Sequence, residues 1–125
     1  MMRFLLCLML VSFPFSLTAH EMTPTYFVFK QSFVEGLHQT TLRMFNKRQE
    51  IEFYEIGVFD RDMKPIQFAT SNSILRLPYL GKATFDIYVR AEDVKRVTYI
   101  CSESKLKKGE TVRTAITTKI CSKIK

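Results

Sequence analysis

Between Thr84 and Arg90 the side chains alternate, with Phe85, Ile87 and Val89 on one side and Asp86 and Tyr88 on the other. A period of two places successive residues on opposite faces of a strand, so this stretch buries its apolar row by lying in a half-covered antiparallel sheet. The rest of the chain is cut in the same way. Tyr26 to Phe33 and Gln39 to Phe45 are two strand regions separated by Glu35-Gly36; in the second, Leu42 and Met44 face one way and Thr41 and Arg43 the other. Ile51 to Phe59 predicts a third, whose apolar phase moves from Ile51 and Phe53 to Tyr54, Ile56 and Val58. That shift is the mark of a bulge near Phe53-Tyr54 or of burial on both faces. Short pieces at Ile66 to Phe68, Leu75 to Leu77, Val97 to Cys101 and Val112 to Cys121 complete the set, divided by turn chemistry such as Asn46-Lys47-Arg48-Gln49, Asp60 to Pro65 and Pro78 to Gly81. No long amphipathic helix interrupts them. About seven short strands at this spacing predict an all-β chain folded as one immunoglobulin-like β-sandwich.

The first residues read differently. Arg3 supplies a positive start, and Phe4 to Leu17 is apolar apart from Ser12, Pro14 and Ser16. Such a run is shorter than the roughly 20 residues that span a bilayer, and it ends at Leu17-Thr18-Ala19, so residues 1–19 are expected to be a signal peptide cleaved after Ala19. Leu17 is larger than the residue usual at its place before the cut, which leaves a neighbouring cleavage site or a short uncleaved anchor as alternatives. The mature domain would span residues 20–125 and would be periplasmic or secreted. Cys7 leaves with the leader, and Cys101 and Cys121 remain as an even pair in an oxidising compartment, where a disulfide is expected; two buried free thiols are the alternative.

The formal net charge is +7. The basic residues are scattered, apart from Lys105, Lys107 and Lys108 and the tail Lys119, Lys123 and Lys125, so they read as a solvated surface. Export argues against nucleic acid, and an acidic partner or an anionic membrane surface is the next option. No Gly-rich phosphate loop or nucleophile motif occurs, and neither enzyme activity nor a cofactor is expected. Unless the bulge intervenes, Glu52 and Glu55 fall on opposite faces of a strand, and they read as surface charges. Thr111, Thr114, Thr117 and Thr118 reflect β propensity. One sharper chemistry is open: cleavage after Ala19 would free the amine of His20, which with its imidazole and with His38 would suit copper. The alternative there is an exposed terminus and a strand-edge histidine.

Ile74-Leu75-Arg76-Leu77-Pro78, then Gly81 and the strand Thr84 to Arg90, resembles a pattern of pilus-type periplasmic chaperones: an Arg-Leu step, a Pro/Gly turn and an alternating strand ending in Arg. Thr40 to Asn46 is similar to that family's second strand, and Ile51 to Phe59 with Pro65-Ile66 to its third strand and following loop. Val112 to Ile120 resembles the last strand of its first, immunoglobulin-like domain. The resemblance covers most of the chain after the leader and corresponds to the first of the family's two domains.

It implies that Val112, Thr114 and Ile116 are offered to a protein subunit with an exposed strand groove, Thr114 standing where a large apolar residue is usual. It also implies a basic pair for the subunit's carboxylate. By position the first is Lys30, and the second falls at or beside Cys121, so Lys119 or Lys123 would substitute. Some members tie their last two strands by a disulfide, matching Cys101 and Cys121. The expected function is that of an exported, single-domain, chaperone-like protein acting by edge-strand pairing in pilus or surface-structure assembly. The alternative is an immunoglobulin-like structural or accessory component of a surface assembly, with Val112 and Ile116 buried in its own core.

Overall fold

The computed structural model describes residues 19–105 and 117–125. Among the described residues nine strands form two facing sheets: β1 (Glu21–Thr23), β2 (Tyr26–Phe27), β3 (Lys30–Gln31), β4 (Leu37–Phe45), β5 (Phe53–Phe59), β6 (Ile74–Arg76), β7 (Lys82–Arg90), β8 (Tyr99–Lys105) and β9 (Lys119–Ile124). A 3-10 turn, Val94–Arg96, precedes β8. The described residues form an all-β fold, as the periodicity predicts.

In the first sheet β4 pairs antiparallel with β7 along its whole length, from Leu37 opposite Arg90 to Phe45 opposite Lys82. Its other edge is shared by β1 at one end and β3 at the other. The second sheet runs β2, β9, β8, β5, β6, with β2 parallel to β9 and the remaining pairs antiparallel. Leu42 and Met44 of β4, Phe85, Ile87 and Val89 of β7, and Tyr54, Ile56 and Val58 of β5 fill the space between the sheets. Each such side chain contributes on the order of 1.5 to 3 kcal/mol by leaving water.

The count exceeds seven because the expected strand Tyr26 to Phe33 is two short pieces, β2 and β3, and a further short strand, β1, precedes it. After β1 the chain passes through Pro24, which has no amide to donate, and leaves the β4 sheet. It touches β9 over two residues as β2, then returns to β4 as β3, burying Met22 and Phe27 on the way. Taken as one interrupted strand, this thread brings the number to seven. The apolar phase change at Phe53-Tyr54 has a similar origin. Ile51 is buried but lies in the connection before β5, which starts at Phe53 with Tyr54, Ile56 and Val58 inward, so no bulge is needed. Ile66 to Phe68 forms no strand; the segment is tied by isolated bridges, Phe59 to Pro65 and Ala69 to Tyr88. Between β3 and β4 the turn closes at Gly36, whose φ of 83° suits a residue without Cβ.

Candidate partner-binding edge

In the ladder between β8 and β9, Tyr99 lies opposite Lys123, Cys101 opposite Cys121 and Glu103 opposite Lys119. Ile124 N–H donates to the Thr98 carbonyl and Ser104 N–H to that of Thr118. Backbone direction alternates along a strand, so Thr118, Ile120, Ser122 and Ile124 turn their peptide groups to β8, and Lys119, Cys121, Lys123 and Lys125 turn theirs to the outer edge. On that edge Lys123 N–H donates to Thr25 O and Lys125 N–H to Phe27 O. Those bonds belong to the two-residue pairing with β2, Tyr26 opposite Lys123 and Phe27 opposite Ile124. Beyond it, over Lys119 to Ser122, no strand among the described residues pairs with the outer edge of β9.

On the solvent face, the Cys101–Cys121 disulfide joins β8 to this edge strand, with Cα atoms 4.0 Å apart. Beside it, Lys119 Nζ stands 4.6 Å from the centre of the Phe59 ring, a cation–π contact. The ring lies back over Gly57, where a Cβ would come within 2.7 Å of it.

Toward the start of β9 the core face of the same ribbon is polar. Ser102 and Ser104 share the inward phase of Ile100, and both are buried. His20, 1 % exposed, lies against them. Its Nε2 is 2.7 Å from Ser102 Oγ, its Nδ1 is 3.3 Å from Thr118 Oγ1, and its ring centre is 4.4 Å from that of Tyr54. Burial lowers the His20 pKa to about 4; the bond at Ser102 opposes the shift and the nearby Arg48 guanidinium adds to it. Arg48 bonds Thr118 Oγ1 and forms an ion pair with Glu50. Burial also pushes the Tyr54 hydroxyl up to about 12. Ser102 has no access to solvent, so its pairing with His20 is a packing arrangement inside the sandwich.

His20 therefore does not stand free as a chain-end copper ligand, because both ring nitrogens are engaged by hydroxyl groups. Nor is His38 near: β1 meets the Phe45 end of β4, and His38 sits seven residues back along that strand, about 23 Å away in extended chain. Lys30 lies in β3 and Lys123 at the end of β9 that pairs with β2, the end toward which the chain runs into β3. Lys119 is about 13 Å further up β9. Of the two substitutes for the second basic residue, Lys123 thus occupies the Lys30 end. Val112, Thr114 and Ile116 lie outside the described residues. Glu52 and Glu55 are apart, the first paired with Arg76 and the second with Lys105. The polar cluster around His20 escaped the sequence reading, although the shared phase of Ile100, Ser102 and Ser104 marks those serines as inward.

No family model matches the sequence, and no curated protein matches it. Among solved structures, the chain is similar to the E. coli chaperone DraB, with a TM-score of 0.64 and 18% identity over 85% of this chain and 53% of that one. It thus spans about half the length of that chaperone and shares its fold there, which is the fold expected from the strand pattern and from the resemblance. A FixG-related protein from Vibrio parahaemolyticus aligns at a TM-score of 0.47 and 13% identity, covering 84% of this chain and 94% of its own.

Proposed function

We propose that this chain is an exported, non-catalytic binding protein that pairs the outer edge of β9 with an extended segment of a protein partner. The observation that carries the reading is the edge over Lys119 to Ser122, unpaired among the described residues, in a strand fastened to its neighbour by a disulfide. Unpaired peptide groups on a sheet edge are a template for another strand. The fold shared with part of a chaperone supports the same reading. Val112, Thr114 and Ile116, ahead of β9 in the sequence, would supply the side chains read by the partner. Lys30 with Lys123 would supply positive charge for a carboxylate, with Lys119 the alternative to Lys123. The setting would be assembly of a pilus or another surface structure.

The test is retention of envelope proteins by the domain and its variants, identified by mass spectrometry. In Lys119→Pro the lost N–H points outward, so the ladder to β8 stays whole while pairing at the edge is blocked. A partner held by wild type and by Lys119→Ala, and lost with Lys119→Pro and with Ile116→Asp, supports edge pairing if the melting temperatures of the variants match. Retention indifferent to both changes sinks it and leaves an immunoglobulin-like module built permanently into a surface assembly.

A further inference from the structure

We infer that His20 is a positioning residue that fixes the start of β9 from the core side, so that the segment preceding β1 sets the register of the edge offered to a partner. The disulfide clamps the β8–β9 ribbon on its solvent face at the Cys101–Cys121 pair. The imidazole clamps the same ribbon on its core face, one nitrogen on Ser102 of β8 and the other on Thr118, the residue before β9.

Thr118 collects most of what holds this end. Its N–H donates to Ser104 Oγ at 2.8 Å, its carbonyl accepts from Ser104 N–H at 2.9 Å, and its hydroxyl lies 3.3 Å from both His20 and Arg48. The terminal pair of a ladder frays unless other contacts hold it. Here they come from two distant parts of the chain: the segment before β1, and the β4–β5 connection that carries Arg48 and Glu50. β1 brings His20 to this spot by pairing Glu21 with Phe45 on the opposite sheet. The imidazole therefore ties the start of the edge strand to both sheets. The consequence for binding rests on the edge-pairing reading; the clamp itself does not.

Amide hydrogen exchange on the full mature domain tests the clamp without any partner, so its failure and that of edge pairing are read separately. The probes are Thr118 and Ser104 at the start of β9, with Ile87 and Val89 of β7 as references for global opening. His20→Ala is expected to speed exchange at Thr118 and Ser104 roughly tenfold more than at the references. His20→Gln, able to meet one hydroxyl with its oxygen and another with its amide, is expected to restore most of the protection. Parallel acceleration of all four amides, or no change, would overturn the inference and leave His20 as core filling. If His20→Ala fails to fold, Thr118→Val removes the hydroxyl while keeping the shape. Selective loss of Ser104 protection then supports the clamp, and unchanged protection overturns it.

Discussion

The Tyr54 hydroxyl donates to the side-chain oxygen of Asn46, the residue after β4, and both residues are fully buried. The same oxygen accepts from Arg48 N–H, and the Asn46 amide donates to the carbonyls of Ile51 and Leu77. One side chain thereby ties the end of β4 to the connections before β5 and after β6. Asn46→Ala would strand two carbonyls, an N–H and a hydroxyl in the interior. It is expected to cost about 3 kcal/mol, against about 1 kcal/mol for Tyr54→Phe. Urea unfolding of the two variants checks this, and equal costs would mean that Asn46 is not the hub.

Breaking the Cys101–Cys121 bridge frees a segment of sequence separation 20. The chain-entropy estimate gives a loss of about 3 kcal/mol. The double Cys→Ser variant should show that drop in urea, with β9 amides exchanging faster than those of β7. A uniform change would place the bridge's effect in the unfolded chain alone.

Acid should weaken the fold through His20. Its folded pKa, about 4, lies below the 6.5 of the open chain, so the unfolded state binds the extra proton. The stability contributed by the neutral ring is complete above about pH 6.5 and drains away as pH falls toward 4, by on the order of 2 to 3 kcal/mol. The carboxylates of Glu50 and Asp93, held low mainly by hydrogen bonds that include those from Arg48 and Arg96, act in the same direction but only below their ordinary range. Denaturation at pH 7, 5.5 and 4.5 should show a slope that His20→Gln flattens; an unchanged slope in the variant assigns the effect elsewhere.

Two glycines should respond unequally to alanine. At Gly81 the added Cβ meets the Pro78 carbonyl oxygen at 2.8 Å, and backbone in a tight turn cannot give way cheaply. At Gly57 it meets only the far edge of the Phe59 ring, which can swing aside. Gly81→Ala is expected to cost roughly 2 kcal/mol and Gly57→Ala under about 1 kcal/mol, measured by thermal melts. Loss of the Lys119 contact with Phe59 should accompany the second.

Regular alternation made β4, β5 and β7 legible in the sequence, because their inward rows, Leu42 and Met44, Tyr54 to Val58, and Phe85 to Val89, are apolar throughout. Three short strands near the start were not legible as such. Tyr26 to Phe33 has continuous β character, yet the chain changes sheets within it, a choice made by distant partners on β4 and β9. The inward place of Ser102 and Ser104 was not legible for a different reason: hydroxyl side chains suggest surface or turn, and only the arrival of His20 and Thr118 makes them suitable for a core. The disulfide was legible only once Cys7 was assigned to the leader, which left Cys101 and Cys121 as an even pair in an oxidising compartment.

The stretch of β9 that no described strand covers is short. Between the start of the strand and the residues held by β2, it turns outward only the peptide groups of Lys119 and Cys121, about four hydrogen-bonding groups. At roughly 1 kcal/mol net for each bond, they fall short of the 4 kcal/mol or more that association costs in lost freedom of motion. A visiting strand confined to this window would dissociate quickly. Under the proposed edge pairing, lasting residence would need grip from outside this window, so the lifetime of a complex would be set there and its alignment by β9. A partner would then leave by losing that outlying grip, with the fold of this domain left intact.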